Sequence, residues 1–196
     1  MTAIAAPRTD YLLRPWSGTW VRDAALITGA VVLTALLAQV SIPIPGSPVP
    51  VTGQTLAVVL VGTTMGMRRG TLAMLAYLLV GVIGAPVFSG ATSGTAVLLG
   101  ATGGYLMGFL LAAALMGWAA QRGWDRTPLR MLALGLIGQI TIFGIGVPWL
   151  AIAAGYGPAE AIAAGFTPFL VGGAIKSLIA AAVLPLAWRV VHGRRR

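Results

Sequence analysis

The chain is 196 residues long, 58% hydrophobic and only 9% charged, which leaves too little polar surface to cover a water-soluble globule of that size. Its net charge of +9 gathers between apolar runs instead of along one face, which argues against a nucleic-acid surface. Cysteine is absent, so disulfides, thiolate chemistry and Cys-based metal sites are excluded.

A helix that spans a bilayer needs about 20 largely apolar residues, and the Pro, Gly and Arg clusters divide the chain into six such runs. They lie near 24–42, 54–67, 70–86, 97–120, 129–152 and 168–190. The expected fold is all-α, an integral membrane protein with six transmembrane helices. Residues 1–23 form an N-terminal segment, 24–190 the six-helix domain and 191–196 a basic tail. Arginines precede the first run as in a signal peptide, but no small-x-small cleavage signature follows, so this run reads as the first anchor.

That first run carries Ala30, Thr34 and Ala38 at four-residue intervals, a stripe of small residues that lets another helix approach closely. The partner is either another helix of this chain or a separate protein. Next comes "SIPIPGSPVPVTGQT" (41–55), whose prolines predict a stiff, extended loop. The second run is short, and its outer end is expected to begin inside that loop. Arg68 and Arg69 join it to the third. The segment 84–109 is dense in glycine and hydroxyl side chains. Irregular backbone at membrane depth persists only where it is buried in protein or lines a cavity, so these two segments predict a cavity that opens on their side.

Arg122, Arg126 and Arg130 join runs four and five, Arg8, Arg14 and Arg22 precede run one, and Arg189, Arg194, Arg195 and Arg196 close the chain. With six crossings, these and Arg68 and Arg69 share one side, so the positive-inside rule places both termini in the cytoplasm. The basic tail reads as an orientation signal in contact with anionic lipid. Tryptophans 16, 20, 118, 124, 149 and 188 sit mostly near run ends, as interfacial anchors do.

The exception among the basic residues is Lys176, inside the sixth run. A lysine at the bilayer centre costs about 2.5–3.5 kcal/mol on insertion scales, so a partner is expected. No acid is placed to serve: Asp10, Asp23 and Asp125 fall on the cytoplasmic side and Glu160 in an outer loop. Either the lysine extends its stem to the headgroups, or it faces a pocket and meets an anion from outside. The second reading is preferred, because Gly172 and Gly173 one turn earlier would let a ligand approach the helix. "GGAIKS" is no phosphate-binding loop, since Ile175 and not glycine precedes the lysine and no strand leads in. Ser177 beside Lys176 hints at a hydrolytic dyad, but adjacent helical residues point about 100° apart, and no buried acid, histidine or cysteine completes an enzyme site. His192 belongs to the tail.

The blocks "AQVSIPIPGSPVPVTGQTLAVVLVG", "MRRGTLAMLAYLLVGVIGAPVFSG", "GATGGYLMGF" and "TPFLVGGAIK" resemble, in the same order and across nearly the whole membrane portion, the BioY family. These are the biotin-specific S components of bacterial energy-coupling factor (ECF) transporters. The resemblance implies the ECF S-component fold in the cytoplasmic membrane and an outward-facing biotin pocket capped by the loop between helices one and two. It also implies a partner module of a membrane coupling protein and two cytoplasmic ATPases, no cofactor, and no enzymatic activity. In the family an alanine stripe like Ala30, Thr34 and Ala38 faces the coupling protein. The family's sixth helix carries an aspartate three residues before the lysine; here Gly173 holds that place, so either the ureido ring is recognised by other groups or the affinity is altered. Ala101 stands where the family commonly has proline.

Biotin is a fused ring system with a valerate tail that ends in a carboxylate. Its pocket needs one cation, apolar walls and a few amide or hydroxyl partners. Lys176 supplies the cation, Thr52, Gln54 and Ser89 are candidates for the urea, and Phe88 and Tyr105 for the walls. The rival reading is a stand-alone facilitator or secondary transporter of biotin or a related small carboxylate.

Overall fold

The computed structural model describes residues 11–13 and 19–193, with side chains through 190. Arg8, Asp10, Arg14, Trp16 and the tail arginines, all invoked above, lie outside the described residues, as does the side chain of His192. The described residues are all-α apart from one two-residue ladder. Helix α1 spans Trp20–Gln39, α2 Gln54–Val82, α3 Thr95–Leu99, α4 Gly103–Ala120, α5 Pro128–Ala154, α6 Pro158–Gly165 and α7 Phe169–Gly193. Strands β1 (Ser41–Ile42) and β2 (Val51–Thr52) pair antiparallel, Ser41 with Thr52 and Ile42 with Val51. The proline-rich loop is therefore a hairpin, and the second run starts at Gln54, inside the last residues of the stretch 41–55.

Among the described residues, four helices are long and apolar enough to cross a membrane: α1, α4, α5 and the Phe169–Val190 part of α7. Helix α2 is two helices joined end to end. At Gly66 the backbone takes φ 73°, ψ 174°, a conformation essentially restricted to glycine, and the chain reverses. Gln54 Nε2 donates to Tyr77 Oη at 2.7 Å, and a Cβ built on Gly70 would stand 3.0 Å from Gly62 Cα. In a straight helix 23 residues span about 35 Å and eight about 12 Å, so the arms 54–65 and 67–82 run antiparallel. The arrangement is compatible with six crossings.

Arg69 lies just past the reversal. It bridges Asp23 at the start of α1, Nε to Oδ1 at 3.0 Å, and donates to Tyr11 Oη. At the same arginine-rich end, Asp125 is buried and accepts from Trp188 Nε1 at 2.6 Å, while the Arg126 guanidinium lies 4.9 Å from the Trp188 ring centroid.

The fourth run is broken where the sequence predicted one helix. Gly100 is extended (φ −82°, ψ −170°), and its carbonyl accepts from Trp149 Nε1 at 2.9 Å, so α3 and α4 are separate. The loop 153–167 holds the unanticipated helix α6. The stripe Ala30, Thr34 and Ala38 is buried within the chain, where α1 packs on α2. Thr34 satisfies its hydroxyl on Ala30 O at 2.7 Å. Of the two readings given for the stripe, internal packing accounts for this burial, because close helix approach is what small residues permit.

Candidate functional site

At the end away from Arg69 and Asp125, the helices enclose a cavity of about 310 Å³, at the small end of the range for ligand pockets. The hairpin contributes Pro48, Val49, Pro50 and Thr52, and the start of α2 adds Gln54 and Thr55. Phe88, Ser89 and Thr92 come from the glycine-rich segment, Gly100–Thr102 from the break before α4, and Tyr105, Leu106 and Phe109 from α4. Helix α5 supplies Gln139 and Phe143, and α7 supplies Phe169, Gly173 and Lys176. The two segments that sequence reasoning singled out as irregular thus form much of its wall.

The walls are aromatic. The Tyr105 ring stacks on Phe169 at 6.3 Å between centroids and meets Phe143 edge-on at 6.2 Å. Its hydroxyl is anchored on Gly165 O at 2.9 Å, so α6 fixes the orientation of this wall. Phe88 is edge-on to Tyr77 at 5.5 Å and lies against Gly81, where a Cβ would stand 2.1 Å from its Cζ. Stacked and edge-on aromatic pairs are favourable beyond the area they bury, and they hold the walls in register.

Lys176 lies seven residues into α7, about 10 Å along the axis at 1.5 Å per residue. Its ammonium reaches the hairpin side of the cavity and donates to Thr52 O at 2.5 Å and to Thr55 Oγ1 at 3.0 Å. Both acceptors are neutral, and no described acidic residue pairs with it. An ammonium has three N–H donors, so one remains for a ligand. Ser177 points elsewhere, its hydroxyl donating to Gly173 O at 2.9 Å, which leaves the supposed Ser/Lys dyad unassembled. Glu160 is exposed on α6 and does not line the cavity.

The structure brings Thr52, Gln54, Phe88, Ser89, Tyr105, Gly173 and Lys176 into one lining and leaves Gly172 out of it. Gly172 faces the hairpin, where a Cβ would meet Val51 Cγ1 at 3.3 Å. The side chains expected to serve a urea are already engaged. Thr52 Oγ1 donates to Gln54 Oε1 at 2.8 Å, Gln54 Nε2 donates to Tyr77 Oη, and Ser89 Oγ donates to Ser41 Oγ at 2.9 Å. Gln139, which sequence reasoning passed over, is 4% exposed, and neither atom of its carboxamide has a partner among the described residues. A lone glutamine in an apolar run was the available signal.

A model of the BioY family matches residues 7–193. The biotin transporter BioY2 of Lactococcus lactis subsp. cremoris is 40% identical over 161 residues, 82% of this chain and 87% of that protein. The biotin transporter BioY of Rhizobium etli is 34% identical over 164 residues, 80% and 86% of the two chains. A crystal structure of the S-component for biotin from an ECF-type ABC transporter superposes with a TM-score of 0.75 at 23% identity, covering 88% of this chain and 95% of that one. The last comparison establishes a shared fold, and the relatives are transporters by name. The expectations of the S-component fold, a multi-pass membrane protein and no enzyme stand with them. With the family model spanning nearly all 196 residues, the chain belongs to the BioY family.

Proposed function

We propose that this protein is the substrate-binding S component of a biotin uptake system in the bacterial cytoplasmic membrane. It captures biotin from the outer side and passes it inward with an ECF coupling protein and two cytoplasmic ATPases. The arginine-rich end faces the cytoplasm and the cavity faces out, in accord with the positive-inside rule. The observation that carries the reading is Lys176, a cation held in an aromatic cavity by neutral groups alone. Intramembrane ionisable residues serve ligands or ions by default, and a valerate carboxylate provides the missing charge. Phe88, Tyr105, Phe143 and Phe169 enclose the apolar body of the ligand, Gly173 leaves room beside Lys176, and the hairpin with Thr52 covers the mouth.

Support for the substrate comes from the relatives, named as biotin transporters at up to 40% identity. The dependence on ATPases follows from the S-component likeness. The test is uptake of radiolabelled biotin by cells that lack their own transporter. Expression with the coupling protein and ATPases should give energy-dependent accumulation, and the chain alone should give binding without accumulation. Accumulation by the chain alone would favour the facilitator reading. No binding in either case would refute the assignment.

A further inference from the structure

Gln139 sits at the middle of α5 (Pro128–Ala154) and is 4% exposed on the cavity wall. Both Oε1 and Nε2 lack hydrogen-bond partners among the described residues. The other amide and hydroxyl side chains of the lining are committed: Thr52, Gln54 and Ser89 as described, Thr55 to Lys176, Tyr105 to Gly165 O, Thr92 to Ser89 O at 2.9 Å and Thr102 to Val97 O at 3.3 Å. A buried carboxamide left unpaired is destabilising, and one on a cavity wall is placed to pair with whatever fills the cavity.

The neighbour across from this amide is Gly173. A Cβ at that position would stand 3.6 Å from Gln139 Cδ and 3.7 Å from Oε1, in ordinary van der Waals contact, so the carboxamide lies beside the bare backbone of α7. In a five-membered cyclic urea each N–H is held on the same edge as the C=O, and a primary carboxamide presents the matching pair, one N–H cis to its oxygen. Two parallel hydrogen bonds close between them.

We propose that Gln139 reads the cyclic urea of the ligand, Nε2 donating to the urea oxygen and Oε1 accepting a ring N–H. The inference rests on the cavity being a biotin site. It makes Gln139 the residue that separates cyclic ureas from other ring-bearing carboxylates. A site built on paired polar groups rejects a ligand that cannot pair with them more strongly than an apolar pocket rejects a missing methylene.

The full-length protein in detergent, wild type and Gln139→Leu, is tested with radiolabelled biotin. Unlabelled competitors are dethiobiotin, which keeps the urea, and lipoate, which keeps a sulfur ring and a valerate carboxylate without it. Gln139→Leu should weaken biotin and dethiobiotin about ten- to hundredfold and leave lipoate little changed. It should also raise the melting temperature of the vacant protein, because an unpaired buried amide is replaced by an apolar group of similar size. Gln139→Met serves as a second apolar replacement should leucine prevent folding. Unchanged biotin affinity, a parallel loss of biotin and lipoate, or a fall in vacant-state melting temperature for both variants would overturn the inference. A wild type that ignores biotin refutes the site reading itself, whereas a wild type that binds it beside an equally competent Gln139→Leu refutes only the role of Gln139.

Discussion

Replacing Lys176 with methionine keeps most of the apolar stem and removes the charge, so it isolates what the ammonium contributes. That group donates to two neutral acceptors, Thr52 O and Thr55 Oγ1, and has a third donor for a ligand carboxylate. Truncating one partner of a buried, hydrogen-bonded charge pair costs about 2–5 kcal/mol, which at 1.4 kcal/mol per decade is a loss of roughly 30- to 5000-fold in biotin affinity. Half-burial at the cavity wall and the surviving aromatic contacts place the expectation in the lower half of that range. The assay is equilibrium binding of radiolabelled biotin to purified protein, with biotin amide as the uncharged control. The amide should bind wild type more weakly than the acid, and the two should bind Lys176→Met nearly alike. Lys176→Glu should be worse than methionine, because it sets a like charge against the tail. Equal binding of acid and amide to wild type would refute the reasoning, since the lysine would then be reading some other part of the ligand.

Three further predictions follow from the packing. Asp125 lies outside the spanning helices, and burial pushes its carboxyl up to about 6, against the opposing effect of the Trp188 hydrogen bond. Because the folded value exceeds the unfolded one, this group lowers stability as the pH rises from about 4 to 6, by up to about 3 kcal/mol. Asp125→Asn keeps an acceptor for Trp188 and should raise the melting temperature at pH 7 more than at pH 4; equal shifts at both would contradict the assignment. Gly66→Ala should lower the melting temperature, by about 1–3 kcal/mol of backbone strain with added crowding of the Tyr11 ring, 3.0 Å from the new Cβ. Gly81→Ala should displace Phe88 from the cavity wall and weaken biotin binding, read as a higher Kd in the same equilibrium binding assay; an unchanged Kd would refute it.

Much of this architecture was legible because bilayer insertion requires long apolar runs and arginines mark their ends. The positions of α1, α5 and α7 follow from that alone. The reversal at Gly66 was anticipated through Arg68 and Arg69, although one glycine suffices to make it, so the helices meet without the looser connection the sequence suggested. The break at Gly100 and the helix α6 escaped notice because hydropathy is blind to a turn within an apolar stretch, and α6 is too short to span. Lys176 announced itself as a charge where charge is costly. Gln139 did not, because a neutral amide barely disturbs an apolar run. Its lack of partners exists only in three dimensions. The stripe Ala30, Thr34 and Ala38 illustrates the converse limit: small residues signal close approach but not which helix approaches.

The bonds from Lys176 to Thr52 and Thr55 also bear on which anions can prosper in the chamber. An amine already solvated by its own polypeptide gains little from chloride or acetate, which bring negative charge and nothing else. Only a solute whose oily body also fills the surrounding space offers more than it disturbs. Selectivity against the abundant small ions of the surroundings is therefore built in before any cargo arrives.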